Sequence, residues 1–164
     1  MSKWAVVTGA TAGIGESFTR ILAHDGFNIV LVARDLERMK ERAAHLESQF
    51  KVQTAIIQAD LATDDGCAKV EQYLRENQIE VLINNAGFGI NKAFSVSDVN
   101  AEQQLLDVLV RTPMRLMHTV IPQMKERNSG SIINVSSVAG WIAVERIVRL
   151  SLISPCSLNH FTLK

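Results

Sequence analysis

Short apolar runs and amphipathic stretches take turns along this chain. Trp4-Ala5-Val6-Val7 is apolar and stops at Thr8-Gly9. Ile14, Phe18, Ile21 and Leu22 then recur at helical spacing, and Gly26 stops that helix. Asn28-Ile29-Val30-Leu31-Val32-Ala33 is almost continuously apolar, as suits a strand covered on both faces. Asp35 reads as the N-cap of a charged helix that runs to about Gln49. Residues 52–57 form a third strand. Thr63 and Asp64 open a helix carrying Val70, Tyr73 and Leu74. Val81-Leu82-Ile83 is a fourth strand. A long helix is expected over residues 101–127, bent at Pro113 and Pro122. Ser129-Gly130 breaks it, and residues 131–135 form a fifth strand. Strands separated by helices need crossovers, and right-handed crossovers build an α/β, doubly wound parallel sheet.

Composition narrows the classes without changing that picture. The chain has 164 residues, sufficient for one domain with a core. Formal net charge is zero, so the electrostatic footprint of a nucleic-acid binder is missing. No apolar run approaches the ~20 residues that span a bilayer, so no membrane partner is expected. The first strand starts too near Met1 to leave room for a signal peptide, which points to a cytoplasmic protein. Cys67 and Cys156 lack metal-site spacing and read as reduced thiols. His24, His45, His118 and His160 are scattered, so no metal site is expected.

The first strand–helix turn carries the strongest chemistry. Thr8-Gly9-Ala10-Thr11-Ala12-Gly13-Ile14-Gly15 joins a strand to a helix. Glycines there let the backbone approach a pyrophosphate, while the helix N-terminus offers free N–H groups and a favourable dipole. A glycine-rich turn without a ligand is the bland alternative, and the strand–turn–helix context favours nucleotide binding.

The pattern Thr-Gly-x-x-x-Gly-Ile-Gly resembles the short-chain dehydrogenase/reductase family. Three further segments agree with that family in order and distance. Asp60-Leu61 follows the third strand, Asn84-Asn85-Ala86-Gly87 the fourth, and Ser136-Ser137-Val138-Ala139-Gly140 the fifth. The resemblance covers about residues 3–143. It implies a Rossmann-like fold and a nicotinamide dinucleotide held by Gly9, Thr11, Ala12, Gly13, Ile14 and Gly15. It also implies that Asp60 and Leu61 hold the adenine and that Asn85, Ala86 and Gly87 lie along the cofactor. Ser137 takes the position of the catalytic serine. In the full-length lineage the implied substrate is a small carbonyl compound or alcohol.

Arg34 ends the second strand, where an acidic residue selects NAD and an arginine accommodates a 2′-phosphate. Guanidinium pairs well with phosphate, so NADP(H) is favoured over NAD(H). Thr11 adds a hydroxyl within the same turn. The alternative for Arg34 is a solvated surface charge.

The resemblance also implies a tyrosine and a lysine that work with the serine, and here the chain departs from the family. Its one tyrosine, Tyr73, precedes Ser137 instead of following it. The window for the tyrosine holds Ile147, Val148, Arg149 and Leu150. That for the lysine spans residues 151–154, and Lys164 is the only lysine after Lys125. No Tyr-x-x-x-Lys pair exists, so inactivity is expected for the chain as given. The position of an asparagine common in the family's long helix holds Leu109, read as a subfamily feature.

From Val144 onward the residues match nothing in the family. In a shifted reading frame, codons compatible with these residues spell Gly-Thr-Tyr-Ser-Ala-Ser-Lys, which contains the absent pair. A single-base gain or loss near the Ala143 codon is the hypothesis, and the gene sequence there tests it. The expected domains are therefore a truncated nucleotide-binding domain, 1–143, and an aberrant tail, 144–164. The sheet is expected to be incomplete, with about five strands and the fifth left as an open apolar edge. Val148, Leu150 and Leu152 alternate with polar residues, so the tail adds a makeshift strand, forms a short helix or stays loose. Ser154-Pro155 is expected to end regular structure. Homo-oligomer formation is left open, because relatives associate through the long helix and one that is missing here. The alternative function is a non-catalytic NADP-binding or partner-binding protein.

Overall fold

Five apolar runs become five parallel strands in the computed structural model, which describes residues 3–136 in full and the backbone of residues 159–163. These strands are β1 (Trp4–Thr8), β2 (Asn28–Ala33), β3 (Thr54–Gln58), β4 (Val81–Asn84) and β5 (Gly130–Asn134). Helices α1 (Gly13–His24), α2 (Leu36–Phe50), α3 (Asp64–Glu76), α4 (Val99–Leu106) and α5 (Thr112–Arg127) connect them. The sheet order is β3-β2-β1-β4-β5, continued by β6 (Asn159–Leu163). Strand order reverses between β1 and β4, which opens a crevice beyond their carboxyl ends.

The apolar runs are continuous because both faces of the sheet are covered. Ala5, Val7, Ile29, Leu31 and Ile83 pack in one core with Ala23 of α1 and Met39 of α2. Val6, Val30, Leu82 and Ile132 pack on the other face with Leu74 of α3 and Leu116 of α5. Full burial of each valine, leucine, isoleucine or methionine among them contributes about 1.5–3 kcal/mol against chain entropy. The helix starts follow their polar residues. Asp35 accepts a hydrogen bond from the Arg38 N–H at 3.0 Å, and Thr63 accepts one from the Gly66 N–H at 3.0 Å.

The long helix differs from its expected form. It begins at Val99 and is divided by a wide π turn, Asp107–Arg111, in which the Thr112 N–H reaches the Asp107 carbonyl. Pro113 accounts for the position of the break. Its ring lacks an N–H and crowds the carbonyl four residues back, and an extra residue in the turn relieves that clash. Pro122 lies inside α5 without dividing it.

The far edge of the sheet also differs. β5 is not left open: β6 pairs with it antiparallel, from Asn134↔Asn159 to Gly130↔Leu163. Regular structure therefore resumes beyond Ser154-Pro155. Free N–H and C=O groups on an edge strand recruit whatever extended segment reaches them, which explains pairing by a segment with little apolar alternation. The alternating stretch 148–152 lies outside the described residues.

An ion pair ties α3 to α5. Arg115 donates through Nε to Glu71 Oε1 at 2.6 Å and through a second nitrogen to Oε2 at 3.0 Å. That hydrogen-bonded guanidinium holds the Glu71 carboxyl below its ordinary value of 4.5, against the opposing effect of burial. A depressed folded-state pKa stabilises the fold fully above 4.5, and this contribution is lost as pH falls through the lower folded value. The thermal midpoint of the wild-type chain should thus drop below about pH 4.5 more steeply than that of Glu71→Gln. Parallel pH profiles for the two would contradict it.

Candidate functional site

A latch between β1 and β4 sets the floor of the crevice. Thr8 Oγ1 accepts from the Asn85 and Ala86 backbone N–H groups at 2.9 and 3.0 Å. The Asn85 side-chain amide donates to the Thr8 carbonyl at 3.0 Å and to the Gly9 carbonyl at 3.3 Å. These bonds hold the first turn and the Asn85-Ala86-Gly87 segment side by side.

Glycine at 9 and 15 follows from that closeness. Gly9 has φ +66°, and a Cβ there would come within 2.9 Å of Ala86 Cα. A Cβ on Gly15 would lie 2.2 Å from the Gly9 carbonyl oxygen and 2.4 Å from the Asn85 side-chain nitrogen. Gly15 is buried beneath the turn and does not line the cleft. Gly13, at φ +56°, starts α1 and faces a smaller groove on the outer side.

Above the latch lies an open cleft of about 1000 Å³. Gly9, Thr11, Ala12 and Ile14 line it from the first turn, and Asn85, Ala86 and Gly87 from the end of β4. Arg34 lines it at the end of β2, with Asp60 and Leu61 beyond β3. Because β3, β2 and β1 are successive neighbours, the Arg34 and Asp60 ends lie together at one extreme. Leu109, Asn134 and Ser136 line the other. Thr8, Gly13 and Gly15, all of the first-turn motif, do not line the cleft themselves. Ser137 and the windows 147–150 and 151–154 lie outside the described residues.

The cleft has the donors that a dinucleotide needs. Ala12 precedes α1 in extended conformation and makes no side-chain cap, so the first-turn N–H groups have no capping side chain between them and the cleft. α2, α3 and α4, by contrast, start on the capping side chains of Asp35, Thr63 and Asp98. An anion at the α1 N-terminus gains those donors and the dipole. The backbone turn, its glycines and the nearby guanidinium fit a phosphate-bearing nucleotide.

The sequence reading missed Arg38. It lines the cleft beside Arg34, on the first turn of α2. The signal was closeness in sequence: Arg34 and Arg38 stand on either side of the Asp35 N-cap, so both cations lie about the start of α2. Leu109 sits within the π turn, its Cδ2 3.0 Å from where a Gly87 Cβ would be. It gives the cleft an apolar wall there.

Tyr73 plays no part in the cleft. It lies on α3, packed against the core, and burial pushes its phenol above the ordinary value of 10.0. That direction is opposite to what proton transfer at neutral pH needs. No helix among the described residues is long and apolar enough to cross a membrane.

Comparison with known proteins agrees with this geometry. The family model described as short chain dehydrogenase matches residues 3–149, so the likeness runs six residues past Ala143, where the sequence was expected to end it. Over 148 residues the chain is 36% identical to very-long-chain 3-oxoacyl-CoA reductase-B of Danio rerio, covering 88% of this chain and 48% of that protein. The human very-long-chain 3-oxoacyl-CoA reductase is 32% identical over 148 residues, with 88% and 47% covered. The chain thus spans about half the length of the curated relatives it matches. Among solved structures, the bulky-bulky ketone specific alcohol dehydrogenase from Comamonas testosteroni is 36% identical with a TM-score of 0.88. The match covers 92% of this chain and 61% of that one. A short-chain dehydrogenase from Sphingobium yanoikuyae in complex with NADPH is 32% identical, also at a TM-score of 0.88, covering 92% and 59%.

Proposed function

The chain belongs to the short chain dehydrogenase family of oxidoreductases, and from that premise we propose that it binds NADP(H) and, as given, does not turn it over. The observation that carries the nucleotide reading is the joint placement of the uncapped α1 N-terminus and two arginines, Arg34 and Arg38, around one cleft. The first-turn N–H groups take the pyrophosphate. Arg34 and Arg38 take the 2′-phosphate, with Thr11 contributing a hydroxyl. Asp60 and Leu61 flank the adenine, and Asn85, Ala86 and Gly87 run beside the nicotinamide half. The neighbour solved with NADPH supports this choice of cofactor.

When bound, the nicotinamide would supply the hydride chemistry that the full-length lineage applies to a small carbonyl compound or alcohol. What the protein must do is move a proton at the substrate oxygen, onto it in reduction and off it in oxidation. Ser137 can polarise that oxygen, but the given sequence has no tyrosine after Ser137 and no lysine between Ser137 and Lys164 to move the proton. Residues 1–143 are read as the nucleotide-binding domain and 144–164 as a tail in a shifted frame.

Titration with NADPH and NADH, followed by nicotinamide fluorescence, tests the reading. Saturable binding with NADPH the tighter ligand is expected; no saturation with either would refute it. Arg34→Ala should weaken NADPH by about 10–100-fold, the size of one charge-assisted hydrogen bond, and leave NADH nearly unchanged. Equal losses for both nucleotides would remove Arg34 from the phosphate.

A further inference from the structure

The segment that flanks the adenine end of the cleft is not held by its own strand alone. Residues 60–62 leave β3 and enter α3 through a compact turn. Thr63 donates through its hydroxyl to the Asp60 carbonyl at 2.8 Å, and the Ala62 N–H donates to Asp60 Oδ1 at 3.1 Å. Gly66 lets α3 lie against this turn, since a Cβ there would be 2.0 Å from the Asp60 carbonyl oxygen.

A second set of contacts reaches the same segment from the far helix. Thr112 is 1% exposed, and its hydroxyl donates to the Leu61 carbonyl at 2.8 Å. Arg111 pairs with Asp64 at the start of α3, and one of its nitrogens lies 3.4 Å from the Ala62 carbonyl. Asp107 Oδ1 lies 2.9 Å from the Arg111 Nε, an ion-pair contact without hydrogen-bond geometry. Both residues belong to the junction where the π turn passes into α5. The turn sets their direction, because its extra residue rotates everything after Leu109 relative to α4.

The geometry points to Arg111 and Thr112 as positioning residues for the adenosine half of the nucleotide site. They fix the height of residues 60–62 above the sheet and thereby the width of the slot beside Arg34 and Arg38. Neither residue lines the cleft, so the effect passes through the 60–62 backbone. The inference rests on the NADP(H) reading of the cleft and adds to it a residue pair and the part of the ligand that they govern.

Thr112→Val keeps shape and removes the hydroxyl, leaving the buried Leu61 carbonyl without its donor. Thr112→Ser restores the donor. Binding of whole NADPH and of the fragment 2′,5′-ADP is measured for wild type and both variants. Thr112→Val should weaken both ligands by the same factor, about fivefold for one neutral hydrogen bond, and Thr112→Ser should recover most of that loss. Amide exchange should quicken at residues 60–63 and stay unchanged in β1 and β4. Unchanged binding overturns the proposal. So does a larger loss for NADPH than for the fragment, which marks general loosening, or a failure of Thr112→Ser to recover affinity. A wild-type chain that binds neither ligand sinks the cofactor reading itself; one that binds both while Thr112→Val is unaffected sinks only the positioning role.

Discussion

Purified chain supplied with NADPH and a panel of ketones should turn over at least about 10²–10⁴-fold more slowly than a relative carrying the tyrosine–lysine pair. The expectation follows from what can donate a proton. The single tyrosine is on α3, away from the cleft, with its phenol raised by burial. The wall above Gly87 is Leu109, an apolar side chain. Aliphatic residues and Arg149 occupy the window in which the family holds its phenol. When two coupled groups are absent, positioning and binding are all that remains. If the tail arises from a shifted frame, a chain carrying Gly-Thr-Tyr-Ser-Ala-Ser-Lys in place of residues 144–150 should turn over faster than the chain as given. Turnover by the chain as given, at the rate of such a relative, would end the claim of inactivity.

Gly15→Val should lower NADPH affinity by roughly 10²-fold, the upper range for forcing extra methyl groups into a packed site. Even a bare Cβ would meet the Gly9 carbonyl oxygen at 2.2 Å and the Asn85 amide at 2.4 Å. These atoms are two sides of the latch between β1 and β4, so neither yields alone. Relief comes only by lifting α1 away from Gly9, which moves its first-turn N–H groups out of reach of a phosphate. Gly13→Ala is the informative contrast. Nothing lies within 4 Å of its Cβ position, so its effect arises from a φ of +56° alone. That strain is on the order of 1 kcal/mol. Fluorescence titration of both variants checks the pair, and equal affinities would contradict the steric account.

Much of the fold was legible because burial is so regular here. Strands covered on both faces must be apolar throughout, and runs such as Ile29 to Val32 show it directly. Asp35 and Thr63 announced their helices because a side-chain oxygen at that position satisfies an otherwise free N–H. The glycines of the first turn were readable for the same reason that they are needed. Other features were set by contacts distant in sequence. The π turn follows from Pro113 together with the pull of residues 61–64 on Arg111 and Thr112, and periodicity carries no record of that pull. Arg38 was hidden among the charges of an exposed helix, where only its placement beside Arg34 distinguishes it. An added strand in the tail was one expected outcome, but its place at residues 159–163 was not readable, because backbone groups on the β5 edge, not a pattern of side chains, decide the pairing.

The direction of β6 has a practical consequence for handling the protein. Trp4 opens β1 at the pole of the sheet away from the nucleotide, and Leu163, opposite Gly130, finishes β6 at that same pole. Three strand spacings separate them, roughly 14 Å. Labels or surface tethers attached at either residue would sit behind the molecule, leaving the mouth of the cleft clear.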